Sequence, residues 1–436
     1  MPDARAAAHG ASPATKVLVV VDQFPATGGS RVDKFVRLLP ELGIEPIVLA
    51  PAETETASGN RIRAELYPDS LRVHRVPSLG WSYFTVRYLS RGPGSRHYEL
   101  LRALSYPERL LLFPDHMVRW IPLAIRRARQ VVREEGIRVV FTSSPPESTH
   151  LVGLRLHDAL GLRWIADFRD LWTEKTMLYR PASRWHDRAV RALEERVFRT
   201  ADHVIANTPQ NLARYRRRFA LPDDRVTMIP NGFDPRDAEG FPPPPPQPRD
   251  AMRLGYAGNM DKHGLPWREF LEAVRRLVDE TGPGRVALDT CGYLSQEVSD
   301  FVRERGLDDV VVHHGELPHA EAMRIMAGTD VVVALLYEDT EYSDSIVPIK
   351  LYQYLAMGRP ILFVGPSEGA AAEVVRETRT GTVVPPSRGV EGVLAWLRDA
   401  HARWSRGELR IDPDPAAVAR YDCREQTRRL AEVIRG

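Results

Sequence analysis

The chain has 436 residues, 43% hydrophobic and 27% charged, with a net charge of +2; it is too long for one ordinary core and too apolar for wholesale disorder, so two or three globular domains are expected. Two cysteines, Cys291 and Cys423, exclude a disulfide framework and a thiolate zinc site and suit a reducing compartment. No apolar run reaches the roughly 20 residues of a membrane-spanning helix, and residues 1–14, lacking the apolar core of a signal peptide, read as a disordered tail.

KVLVVV (16–21) is a continuous β-branched run, the pattern of a parallel strand buried on both faces. The loop DQFPATGGS (22–30) and an amphipathic stretch (31–42) follow, then strands at 45–50 and 71–77. Residues 78–120 are irregular and rich in aromatics, including Trp81 and Trp120, and read as a binding loop or cap inserted into the unit. Helices at 122–135, 148–160, 183–200 and 209–219 then alternate with strands at 137–144, 163–170, 203–208 and 226–232. FPPPPPQPRD (241–250) can be neither central strand nor helix interior and marks an extended linker. Strands at 252–258, 286–292, 310–315, 331–336 and 360–365 restart the alternation, with helices at 266–280, 295–305, 319–328 and 348–357; one or two terminal helices occupy 414–435. The fold class is therefore α/β, with two Rossmann-like doubly wound domains (15–240 and 251–412) facing a cleft, and a final segment, 413–436.

Chemistry is sought where open sheets bind ligands, at the carboxyl ends of strands. Gly28 and Gly29 sit in the first such loop, where paired glycines let backbone amides approach an anion. ADFRDLW (166–172) places Asp167, Arg169 and Asp170 beside Trp172, a set suited to sugar hydroxyls with an aromatic platform, or else to an Arg–Asp clamp within the loop. In the second half, LGYAGNMDKHG (254–264) carries Lys262 after Gly258 and Asn259. VPIKLYQYLAMGRP (347–360) sets Lys350 just inside a helix N-terminus, where the dipole disfavours a cation unless an anion shares the place. Two lysines entering one cleft beside glycine loops suit a diphosphate. His313-His314 falls in no metal-binding pattern, and no Walker A sequence or nucleophile elbow occurs. YRRRF (215–219) reads as a solvated face, so no nucleic-acid partner is expected. Residues 1–240 carry 36 basic against 28 acidic side chains, which suits an anionic acceptor or peripheral contact with an anionic membrane.

At TSSPPESTHLVG (142–153), ADFRDLWT (166–173), VIANTPQNLARY (204–215), VTMIPNGFD (226–234) and PIKLYQYLAMGRPIL (348–362) the chain resembles the GT-B glycosyltransferases, in particular bacterial family 4 members, over nearly its whole length. The resemblance implies a nucleotide-sugar donor (UDP-, GDP- or dTDP-linked) held mainly by the second domain, an acceptor held mainly by the first, no metal or other cofactor, and a C-terminal helix crossing back. It assigns Gly28 and Gly29 to the donor phosphates and acceptor, Asp167 and Arg169 to the transferred sugar, and Lys262 and Lys350 to the phosphates. Gly258, Asn259 and Ile349 join the donor set, and Gly315, Glu316 and Leu317 form the loop near the nucleobase. Trp81, Trp120, Asp170 and Trp172 are left to the acceptor. Two glutamates eight apart, common in the family, are Ser345 and Gln353 here; Gln353 can still bond a ribose hydroxyl, but without a charge.

The expected activity is cytoplasmic transfer of a sugar to an acceptor hydroxyl with retention, the acceptor being a glycan, a lipid-linked saccharide or a small metabolite. A sugar-nucleotide epimerase on the same fold and a catalytically degenerate partner subunit are the rival expectations.

Overall fold

The computed structural model describes residues 15–25, 30–52, 67–68, 70–77, 113–174, 179, 181, 183–261, 264–338 and 342–436. They form two sheets in which every strand pair is parallel. The first contains β1 (Thr15–Val20), β2 (Ile44–Pro51), β3 (Arg72–Val76), β4 (Val139–Ser144), β5 (Arg163–Phe168), β6 (His203–Ala206) and β7 (Val226–Met228), in the order β3-β2-β1-β4-β5-β6-β7. The second contains β8 (Met252–Ala257), β9 (Val286–Cys291), β10 (Val311–His313), β11 (Val331–Leu335), β12 (Ile361–Val364) and β13 (Gly381–Val384), in the order β10-β9-β8-β11-β12-β13. Strand order reverses beside β1 and again beside β8, and the loops that leave the strands there are where an open α/β sheet receives a ligand.

The first sheet is crossed by α1 (Arg31–Leu38), α2 (Ile121–Glu135), α3 (Thr149–Leu160), α4 (Arg184–Thr200) and α5 (Pro209–Phe219). Local chemistry sets their ends: Ser30 and Asp33 close a capping box on α1, and Gly136 and Gly161 stop α2 and α3 in the left-handed conformation. The second sheet carries α6 (Trp267–Thr281), α7 (Gln296–Glu304), α8 (His319–Ala327), α9 (Ile349–Leu355), α10 (Ala370–Thr378) and α11 (Gly389–Ser405). Between the expected strand 360–365 and the expected helices at 414–435, the structure adds α10, β13 and α11. β13 has only four residues and lies at the sheet edge, too short to show a period.

The chain passes between the domains twice. After β7 it runs through Gly232 and Phe233 to the proline stretch, which packs on the second domain: Arg359 donates to the Pro242 carbonyl (3.1 Å) and Gln247 to that of Leu409 (3.3 Å). After α12 (Pro415–Ala419) it returns into α13 (Cys423–Arg435), whose Leu430, Ala431 and Ile434 are buried against Val17, Val19 and Val36 of the first domain. Leu430 and Ile434 each contribute roughly 1.5–3 kcal/mol of apolar burial, so α13 is part of that core. The two crossings are joined by backbone bonds, Phe233 N–H to Tyr421 O and Cys423 N–H to Phe233 O, both 2.9 Å. Only glycine fits at 232, because a Cβ would stand 2.2 Å from the Tyr421 carbonyl oxygen.

Candidate active site

Three glycines cap the carboxyl ends of β8, β9 and β10. Gly258, Gly292 and Gly315 all take positive φ (115°, 121° and 74°). Gly258 N–H donates to Cys291 O (2.7 Å) and Gly292 N–H to Gly315 O (2.8 Å). A Cβ on Gly292 would lie 3.0 Å from the Gly258 backbone. The result is a shelf of bare main chain, which a bulky ligand can approach closely. Gly292 is absent from the sequence-derived set; its signal was a glycine following a strand. Beside it, Tyr293 is exposed at the rim.

Lys350 reaches this shelf from α9. Its Nζ lies 4.0 Å from the centroid of the buried Tyr256 ring and 3.1 Å from where a Cβ on Gly258 would stand. The ring face favours the cation without neutralising it. Tyr256 in turn donates its hydroxyl to Asn259 O (3.1 Å), and Asn259 Oδ1 accepts from Asp261 N–H (3.2 Å), which fixes the turn. Gly258, Asn259 and Lys350 are therefore brought together where strand order reverses. Gln353, one turn further, pairs its amide with the His319 ring (2.9 Å), a partner the sequence did not suggest. Glu316 is exposed, Leu317 packs partly against the second domain, and Ile349 is 44% exposed.

Ser345 does not join them. It is buried and donates to the Tyr342 carbonyl (2.9 Å) within its own 3-10 turn. Its expected place in donor binding is corrected on that ground: its hydroxyl is committed to its own turn.

In the first domain the charges of the ADFRDLW motif are held by residues outside it rather than by one another. Asp167 has no exposed surface; it accepts from Ser143 Oγ (2.7 Å) and faces Arg31 Nη2 (3.2 Å). Direct contact between Asp167 and a sugar is thereby corrected to a supporting position. Arg169 donates to the carbonyls of Ser144 (2.9 Å) and Pro145, lies 3.6 Å from the Asp22 carboxylate, and keeps part of its side chain exposed. Asp170 receives the Tyr342 hydroxyl from the second domain. Trp172 and Trp120 are 4% and 0% exposed, inside the first-domain core. Neither offers a face to an acceptor, so the aromatic platform expected there is corrected too. The loop is anchored from behind by Glu194, which accepts from Thr173 Oγ1 (2.5 Å) and Arg218 (2.6 Å); burial raises its pKa above the usual carboxylate value. Gly28, Gly29, Trp81 and Lys262 lie outside the described residues.

Arg31 and Lys34 were missed. Both are about 95% buried, and Lys34 donates to Gly232 O (2.6 Å). Arg31 also donates to Asn231 Oδ1 (3.3 Å); burial lowers its pKa while Asp167 acts in the opposite sense. Their signal was weak, since charges on an amphipathic helix are ordinarily solvated. Among the described residues no group of three or more His, Cys, Asp or Glu could hold a metal ion.

Residues 27–232 match the family model of a glycosyl transferase 4-like domain, and residues 251–399 that of glycosyl transferases group 1. The D-inositol 3-phosphate glycosyltransferase of Paenarthrobacter aurescens (strain TC1) is 22% identical over 59% of this chain and 64% of its own length, a little under two thirds. That of Arthrobacter sp. (strain FB24) is 23% identical over 62% of this chain and 69% of its own. In fold the chain is similar to sucrose-phosphate synthase from Thermosynechococcus elongatus (TM-score 0.64, 15% identity, 97% of this chain and 98% of that one). It is also similar to Anabaena HepE in complex with UDP and glucose (TM-score 0.61, 15% identity, 97% and 99%).

Proposed function

The chain belongs to the GT-B glycosyltransferases, a glycosyl transferase 4-like domain joined to a group 1 domain, and on that premise we propose that it transfers a sugar from a nucleoside diphosphate donor to an acceptor hydroxyl with retention. The observation that carries the reading is the convergence of Lys350 with the glycine shelf of 258, 292 and 315. A side-chain-free shelf admits a pyrophosphate, and a cation held over it offsets the charge that grows on the leaving group as the glycosidic bond breaks. Arg169, partly exposed on the facing domain, would orient the sugar, with Gly28, Gly29 and Lys262 completing the site as the family resemblance implies. Closure of the domains would exclude water. Retention rests on the same resemblance, with the leaving phosphate taking the acceptor proton on the face it departs from.

UDP is the first nucleotide to try, because the similar Anabaena protein holds it; inositol phosphates join glycans and lipid-linked saccharides as acceptors to try, after the curated relatives' name. The site acts on the cytoplasmic side in this reading, with peripheral contact at the membrane's inner face. Isothermal calorimetry with UDP and GDP on wild type and Lys350→Ala tests the clamp: a loss of about 10–100-fold is expected, equal to about 1.4–2.8 kcal/mol. Unchanged affinity removes the role.

A second reading, a degenerate subunit that activates a partner transferase, is favoured by the Gln353–His319 pair and by the burial of Ser345. Gln353→Glu separates the two. An enzyme limited by its ribose contact gains UDP affinity, whereas a subunit without turnover releases no nucleotide in either form.

A further inference from the structure

The basic residues of α1 are spent on the interdomain crossing. Arg31, Lys34 and Arg37 share one helix face and meet three residues of one short segment: Asn231 (3.3 Å), the Gly232 carbonyl (2.6 Å) and Asp234. That segment is the one joined by backbone bonds to Tyr421 and Cys423. Arg31 alone also reaches the Asp167 strand. Its Nη2 faces Asp167 Oδ1 at 3.2 Å, and the crossing it grips leads on to α9, because the Tyr421 ring packs 5.3 Å from that of Tyr352, two residues beyond Lys350.

The Arg31–Asp167 pair is unusual in its chemistry. Neither Nε nor Nη2 of Arg31, nor Oδ1 of Asp167, makes a hydrogen bond among the described residues, although both side chains are at least 95% buried. The contact is an ion pair off the line of a hydrogen bond, sealed from water. A buried pair of this kind is a poor device for stability, since apolar residues of similar volume usually serve as well. What it supplies is register: one rigid guanidinium fork touches β5 and the crossing together, and the crossing packs on α9 through Tyr421 and Tyr352.

We propose that Arg31 is a positioning residue for glycosyl transfer, fixing the Arg169 loop of the first domain against the Lys350 helix of the second in the closed arrangement. It touches no reacting atom; it acts through Asp167, two residues before Arg169, and through the crossing, whose Tyr421 packs on Tyr352. The inference rests on the transfer reading for its catalytic consequence, and on geometry alone for its effect on the domains.

The experiment has three readouts: turnover of whichever sugar nucleotide the wild type consumes in a released-UDP panel, UDP affinity by calorimetry, and interdomain distance. Both native cysteines are buried, so nitroxide labels on Arg199→Cys and Arg303→Cys report that distance selectively. In Arg31→Met, kcat is expected to fall at least 30-fold, while KM for the donor and Kd for UDP stay within threefold, because the shelf and Lys350 belong to the second domain. The distance distribution should broaden. Arg31→Lys, which keeps the charge, should recover at least tenfold in kcat. If Arg31→Met does not fold, Arg31→Met/Asp167→Asn, which removes both buried charges, replaces it with the same expectations. Unchanged turnover with an unchanged distance distribution overturns the proposal, as does a loss of UDP affinity equal to the loss of kcat. A wild type that binds no UDP and releases none sinks the transfer reading instead, and the distance distribution alone then decides the role of Arg31.

Discussion

The Arg214 guanidinium in the first domain stands 2.9 and 3.0 Å from the two carboxylate oxygens of Asp344 in the second. Two residues earlier Tyr342 lies within the first-domain core and donates to Asp170, and Gln210 donates to Glu373 (2.9 Å). The acidic loop that precedes α9 is thus held by the opposite domain. Lys350 follows six residues after Asp344, so the same contacts that close the domains set the start of the helix that carries it.

Asp344→Asn should loosen this contact without unfolding either domain. Asp344 is partly exposed, so solvent screening keeps the effect near 1 kcal/mol. Native-state hydrogen exchange should show amides 343–346 opening about fivefold more readily, with β8 and β11 unaffected. Equal acceleration in the central strands would mean that the loop is not a separate unit.

Gly292→Ala tests the shelf. The residue takes φ +121°, which a Cβ disfavours, and that Cβ would press on the Gly258 backbone at 3.0 Å, where no flexible side chain can yield. A stability loss of about 1–3 kcal/mol is expected, together with loss of UDP binding under conditions where the variant is still folded. A folded Gly292→Ala protein with wild-type UDP affinity would remove the shelf from the donor site.

The sheets were legible because strands buried on both faces leave unbroken runs such as KVLVVV and VVVALL, and because the proline run breaks the alternation once. Lys350 stood out because a cation near a helix start is disfavoured by the dipole, and the structure brings it beside Gly258 and over the Tyr256 ring. Asp167 misled for a related cause: a carboxylate at a strand end reads as open to the cleft, and nothing in its own motif points to Arg31, 136 positions earlier in the chain, as the residue that seals it. Trp120 and Trp172 misled in the same way, since an aromatic in a polar loop looks like a platform until the packing around it is known. Gly292 and His319 could be placed only after strand order was fixed, because their partners, Gly258, Gly315 and Gln353, come from other strands and helices.

His150 should make stability fall in mild acid. Its ring is fully buried, paired through Nδ1 with Thr142 Oγ1 (2.7 Å) and packed 4.3 Å from the Phe168 ring; burial lowers its pKa to about 3. The unfolded chain titrates at the ordinary histidine value of about 6.5. Above pH 6.5 both states are neutral and the native advantage is complete. As pH falls through the window from 6.5 toward 3, only the unfolded chain takes the proton, and stability drops by up to about 1.4 kcal/mol per pH unit. His203, lowered to about 4 by burial, adds to the slope over the upper part of this window. Urea titrations between pH 5 and 6.5 should show His150→Gln losing about one proton's worth of slope. An unchanged slope would mean that His150 titrates normally in the native state.

The outer face of α2 provides the last test, of peripheral membrane contact. Arg126, Arg129 and Arg133 recur there at i, i+3 and i+7, all exposed, lining a shallow surface hollow with Pro122, Ile125 and the Gln130–Glu134 pair. Many arginines of this chain form an ion pair with a carboxylate, but these three form none among the described residues. Surface arginines held in no ion pair keep most of their attraction for an anionic interface, about 1 kcal/mol each at low salt, and the single carboxylate of Glu134 offsets only part of the three charges. Sedimentation with phosphatidylglycerol–phosphatidylcholine vesicles should therefore show binding in 50 mM salt that largely disappears at 0.5 M, where the Debye length shrinks to about 4 Å. Replacing all three arginines by alanine should cut partitioning roughly 100-fold, with UDP affinity intact because the donor shelf lies in the other domain. Equal partitioning of wild type and triple variant would exclude this face as the contact, whatever the protein's affinity for membranes.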